Sequence, residues 1–179
     1  MRQAAMIKAA ALLALMTGCS GPIETRIETA LPAAPARGAT YVLSAAEGKT
    51  GTVEEQARRL LETRLSAHGL TRIEDPEAAL YAVALSISER PADMTYTTGD
   101  RAPVMAKRNK PFQSCNDRDL SVAVTMTRVA DAAPAYRGTA AEYHCKAKLA
   151  EVMPSLLDAA LKGLGGQTGS WIEKRSGTD

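Results

Sequence analysis

The sequence predicts an α/β (α+β) two-layer sandwich, in which a mixed sheet of about four strands carries two amphipathic helices on one face, in the order β-α-β-β-β-α. Three observations predict it. Two segments, Val53 to Leu65 and Leu149 to Leu164, repeat apolar residues at helical spacing on a single stripe. Leu80 to Glu89 and Leu120 to Thr127 alternate bulky apolar residues with small or polar ones, so each presents one buried face. One sheet with both helices on the same side satisfies every stripe and every bulky face at once.

Thr40-Tyr41-Val42-Leu43 opens the body as a short β-branched and aromatic strand. Thr52-Val53-Glu54-Glu55 has the form of a capping box, with Thr52 as N-cap and Glu55 reaching back. Val53, Ala57, Leu60, Leu61 and Leu65 then form the helix stripe, and Gly69 supplies a left-handed stop with Leu70 packing back. In the next strand Tyr81, Val83, Leu85 and Ile87 make the bulky face, and Pro91 ends it. Leu120, Val122, Val124 and Met126 do the same in the third strand. A turn at Ala130 to Ala135 returns the chain as Tyr136 to Cys145. In the last helix Pro154 requires either a start near Glu151 or a kink. Gly163, Gly165 and Gly166 end that helix, and residues 165–179 read as a flexible polar tail.

The first nineteen residues carry an address. Arg2 and Lys8 precede the uncharged run Ala9 to Met16, as in a secretory signal. Eight apolar residues span about 12 Å as a helix, well short of a bilayer core of roughly 30 Å. The run closes in Leu15-Met16-Thr17-Gly18-Cys19, which resembles the lipobox of bacterial lipoproteins. That resemblance implies removal of residues 1–18, lipidation of Cys19 and permanent attachment to a membrane. Ser20 in the next position implies sorting to the outer membrane, on its periplasmic face. Residues 19–39, with Pro22, Pro32 and Pro35 among alanines, read as a tether, and residues 40–164 as the periplasmic domain.

Composition narrows the partners. Removing Arg2 and Lys8 leaves twenty basic against twenty acidic residues, a balance that argues against nucleic acid. The chain has only one Trp, five Tyr and one Phe, too few for base-stacking platforms. With Cys19 lipidated, Cys115 and Cys145 remain, and an oxidising compartment favours a disulfide between them across the hairpin. The alternative for these cysteines is a metal or redox site with His144. There is no C-x-x-C or zinc spacing, and His144 and Cys145 point to opposite faces of a strand.

No G-x-S-x-G, H-E-x-x-H or P-loop is present, and neither His68 nor His144 stands beside a nucleophile, so no catalytic residue, metal or cofactor is assigned. The 30 residues from Arg90 to Asp119 are longer than an ordinary connection. Within them Arg101, Lys107, Arg108 and Lys110 place four cations in ten residues without an acid, a candidate contact for an anionic envelope component.

The helix end His68-Gly69-Leu70, the link through Asp75, the strand Ala79-Leu80-Tyr81-Ala82-Val83, and Asp131 with Tyr136-Arg137-Gly138-Thr139-Ala140 together resemble a family of bacterial lipoproteins defined only as a domain of unknown function, DUF4136. The resemblance implies a small periplasmic α/β domain without established catalytic residues. The expectation is a non-enzymatic binding or envelope-assembly module that meets the membrane through its lipid. The competing expectations are an envelope enzyme or metal-dependent accessory factor using His144 and Glu142, and a self-associating structural subunit.

Overall fold

The computed structural model describes residues 22–44, 51–97, 105–107 and 115–176. Along the chain lie β1 (Ile23–Ala30), β2 (Thr40–Leu43), α1 (Thr52–Ala67), β3 (Thr71–Arg72), β4 (Tyr81–Pro91), β5 (Arg118–Arg128), β6 (Pro134–His144), α2 (Leu149–Leu161), a 3-10 turn (Lys162–Gly165) and β7 (Gly169–Arg175). The strands form one mixed sheet in the order β3-β2-β4-β5-β6-β1-β7. Strand β2 runs parallel to β3 and β4, and every other pairing is antiparallel. The two-layer α+β architecture is as expected, but the sheet has seven strands rather than four.

The added strands come mainly from the chain's ends. Ile23–Ala30, read from sequence as part of the tether, is β1 and lies between β6 and β7. Its inward positions Ile23, Thr25, Ile27 and Thr29 alternate with Glu24, Arg26, Glu28 and Ala30. Threonine at two inward positions weakens the hydrophobic signal, and Pro32 falls after the strand has ended, where it breaks no ladder. Gly169–Arg175, read as tail, is β7, an edge strand that needs a partner on only one side and finds it in β1. The third addition is β3, only two residues long.

Helix α1 buries Ala57, Leu61 and Leu65, as its stripe predicts, but its N-cap is Gly51 and not Thr52, which is already the first helical residue. No side chain caps this end. Its C-terminus stops as expected. Gly69 has φ +82°, its N–H donates to the Ser66 carbonyl at 2.9 Å, and the N–H of buried Leu70 donates to the Leu65 carbonyl at 3.0 Å. Helix α2 begins at Leu149, ahead of the expected Glu151, and the Glu151 carboxylate accepts the Lys148 N–H at 3.0 Å. Pro154 therefore sits in the second turn, past the positions where its missing N–H costs nothing.

The core lies between the helices and one sheet face, built from Val83, Leu120, Val122, Val124, Met126 and Ala140 below and Leu61, Leu65, Met153, Leu156, Leu157 and Ala160 above. At the β5–β6 turn, Asp131 accepts two bonds from Arg128, both 2.8 Å, and one from the Ala133 N–H at 3.1 Å, which braces Ala132 at φ +56°. Cys115 and Cys145 are joined by a disulfide with Cα atoms 5.6 Å apart. It closes the long 90–119 connection onto the end of β6.

Helix α2 approaches β6 closely because position 138 has no side chain. The buried Tyr136 hydroxyl donates to the Ala160 carbonyl, and a methyl on Gly138 would overlap both of those oxygens. Burial pushes the Tyr136 phenol well above its ordinary range. Gly138→Ala is therefore expected to cost about 1–3 kcal/mol, read as a lower urea midpoint at unchanged m-value.

Candidate functional site

Two helices cover one face of the sheet, and the other face is bare across β4, β5, β6, β1 and β7 among the described residues. Strand alternation sends there the residues that the core does not take. One row across the strands reads Ser88, Ser121, Ala141, Arg26, Ile172, and the next reads Ser86, Ala123, Thr139, Glu28, Ser170. The result is a groove of about 920 Å³ with a floor of small and hydroxyl-bearing side chains. Arg26, Arg90 and Arg137 line it, against the single carboxylate of Glu28.

One end of the groove is packed by charge and aromatic rings. Arg26 pairs with Asp119, a residue only 2% exposed, and its guanidinium stacks over Tyr143 at 3.9 Å. The Tyr96 hydroxyl donates to the other Asp119 oxygen at 2.9 Å, and Arg90 lies over the Tyr96 ring at 4.3 Å. Burial, then the Asp119 bond, raises the Tyr96 pKa, and burial likewise raises that of Tyr143. Lys107 pairs with buried Asp117 and sits over the Tyr143 ring at 4.7 Å. These contacts, with the Lys107 N–H bonded to the Ala92 carbonyl at 2.7 Å, fasten parts of the long connection over the groove's end.

On the covered face, beneath this end, lies a second polar cluster. Glu142 is wholly buried and accepts bonds from Thr25 at 2.6 Å, from Arg175 at 2.6 and 3.1 Å, and shares one with His144 at 2.7 Å. Burial alone raises the Glu142 pKa, but the bonds from His144, Arg175 and Thr25 outweigh it and hold the carboxyl at about 2. Three strands, β1, β6 and β7, meet at this one charge.

The residues singled out in the sequence fare differently. Cys115 and Cys145 come together as expected, which leaves neither sulfur as a thiolate for the metal alternative. Among the described residues no three of His, Cys, Asp and Glu are grouped as metal ligands. His144 and Glu142 do meet, and both are buried in the core. Lys107 pairs with Asp117, with its side chain 31% exposed. Cys19, Arg101, Arg108 and Lys110 lie outside the described residues. His68 is the C-cap of α1.

The bare face itself, with Arg26, Arg90 and Arg137, was missed. Its signal was available in the small, polar residues that alternate with the bulky ones in β4, β5 and β6, and in the alternation of β1.

No family model and no curated protein matches the chain. Solved structures do. The PelC dodecamer from Paraburkholderia phytofirmans aligns over 78% of this chain and 96% of its own, with TM-score 0.51 and 17% identity. A PDZ domain protein from Parabacteroides distasonis aligns over 92% of this chain with TM-score 0.56 and 13% identity, and this chain spans 41% of that one. A DUF4136 family protein from Bacteroides thetaiotaomicron aligns over 78% of this chain and 94% of its own, with TM-score 0.46 and 10% identity. What the chain shares with the first two is a fold.

The depressed pKa makes Glu142 a source of acid sensitivity. A carboxyl that titrates near 4.3 when unfolded and at about 2 when folded stabilises fully above the unfolded value, and this stabilisation drains away as pH falls toward the folded one. Urea unfolding at stepped pH between about 6 and 2 should lose up to about 3 kcal/mol from this group, and Glu142→Gln should flatten that slope while lowering stability at neutral pH.

Proposed function

We propose that this chain is a non-catalytic assembly module of the bacterial envelope, anchored through a lipid on Cys19 to the periplasmic face of the outer membrane, and that it works through the bare face of its sheet. The observation that carries this reading is the face itself. A seven-stranded sheet with one side covered and the other open among the described residues, floored with small side chains and lined by arginines, is suited to be met by a partner. The sequence resemblance at the lipobox supports the anchor, and the Cys115–Cys145 disulfide accords with an oxidising compartment. Among the described residues, no helix is long and apolar enough to cross a membrane.

On this reading the anchor also orients the domain. Only Ser20, Gly21 and Pro22 separate Cys19 from β1, so the start of β1 lies within about 14 Å of the acylated residue. The end of the sheet that holds Glu142, the disulfide and the base of the 90–119 connection then faces the membrane. A self-associating subunit is the second reading, favoured by the PelC protein, which has this fold and is a dodecamer.

Cys19→Ala tests the anchor. The substituted protein is expected to leave the membrane fraction for the soluble periplasmic fraction, and the intact mass of the unsubstituted protein should equal residues 19–179 plus acyl chains. An unacylated mass, or membrane retention of the variant, removes the anchor.

A further inference from the structure

We propose that the bare face is occupied by a second copy of this chain, which sets the acidic turn Glu74-Asp75-Pro76-Glu77 against Arg137 in a head-to-tail contact; this deepens the reading of the chain as an assembly module and rests on it. Of the three arginines in the groove, Arg26 is engaged by Asp119, and Arg90 by Tyr96 and Ser88. Arg137 is exposed and makes no hydrogen bond or ion pair among the described residues, with the hydroxyls of Thr125 and Thr139 beside it. Of the three groove arginines it is the one without such a bond among the described residues.

The complement lies elsewhere on the same chain. The turn carries three carboxylates in four exposed residues and no base. Its one ion pair, Arg72 to Glu74 at 2.8 Å, is solvent-exposed and weak. The turn joins β3 to β4, and β4 lies two strand positions, roughly 10 Å, from β6 with β5 between them; among the described residues no bond joins the turn to Arg137 within one molecule. The two features nonetheless lie toward the same end of the sheet. Arg137 is level, through Thr125, with Ala84, three residues beyond Tyr81, where the turn rejoins the sheet.

Copies anchored in one leaflet share a direction along the membrane normal, and side-by-side packing brings the turn of one to the groove of the next at matching height. Leu80, beside the turn, adds a large apolar side chain more than half exposed to that side of the contact. A patch that pairs with a different patch makes a heterologous interface, which closes into a ring or extends as a filament.

The test is sedimentation velocity of the full-length protein extracted in mild detergent, at low and high salt. The unsubstituted chain is expected to sediment as an assembly that shrinks as salt is raised. Glu74→Lys with Glu77→Lys, and separately Arg137→Glu, should each weaken association at least about tenfold. All three side chains are exposed, so circular dichroism should be unchanged. An equimolar mixture of the two variants should associate again, because it contains one native groove and one native turn. A monomeric unsubstituted chain, an assembly indifferent to salt or to either variant, or a mixture that stays monomeric overturns the proposal. None of these substitutions touches Cys19, so membrane attachment should persist in all of them; its loss in the unsubstituted chain would count against the anchor and not against this interface.

Discussion

Two helices cannot cover both faces of a seven-stranded sheet, and most of the molecule follows from that constraint. Each helix has one apolar stripe, and both stripes are spent on the same face, where they meet Val83, Leu120, Val122, Val124 and Met126. The opposite face must then be stable against water. Its residues are Ser, Thr and Ala over the floor, with arginines around it, in place of the aliphatic side chains that would make an aggregation surface. The same division decides where charge can be buried. Asp119 is buried on the bare face only because Arg26, Tyr96 and Tyr143 gather over it.

The cluster at Glu142 does a different task. A buried ion pair is weak evidence of stability, because taking both charges from water offsets much of their attraction. What it enforces here is register. A one-residue slip of β1 would turn Thr25 to the other face, and the same slip of β7 would remove Arg175. Either slip leaves a carboxylate in the core without its donors, at a cost larger than the pair is worth when intact. The strands nearest the two chain termini are thus tied to the sheet by one side chain from its middle. This matters most for β7, whose side chains bury little apolar surface and which is held otherwise by its ladder to β1 and by contacts such as Lys162 with Glu173.

The parts of the fold legible in the sequence are those where hydrophobic period and burial coincide. The stripe of α1, the Gly69 stop, the bulky faces of β4 and β5 and the β5–β6 turn all stand where their patterns place them. The strands at the termini were illegible because their inward positions are partly polar. Thr25 and Thr29 in β1 are buried, and Glu142 and His144 in β6 are buried beside them, so polar residues there mark the core and not the surface. A similar inversion affects Lys107, which belongs to a run of cations that looks solvated and is instead held by a buried aspartate nearby in sequence but set in place by the sheet. The candidate surface was hidden for the opposite reason. Small residues alternating with large ones look like the unremarkable side of a strand until the fold places three such sides, those of β4, β5 and β6, next to one another.

One stretch of β6 shows the same division of faces residue by residue. Tyr136-Arg137-Gly138-Thr139-Ala140 is a single stretch of β6 whose alternate residues serve opposite layers. Tyr136 and Gly138 set how closely α2 lies on the sheet, one by its bond to the Ala160 carbonyl and the other by lacking a side chain. Arg137 and Thr139 stand on the bare face. A strand that must keep a helix at close range on one side cannot shift to accommodate a partner on the other. Arg137 is therefore presented from a backbone fixed by the core beneath it, and the groove meets a partner as a rigid surface. The adaptable component of any contact would have to come from the other side, as a turn or loop brought to it.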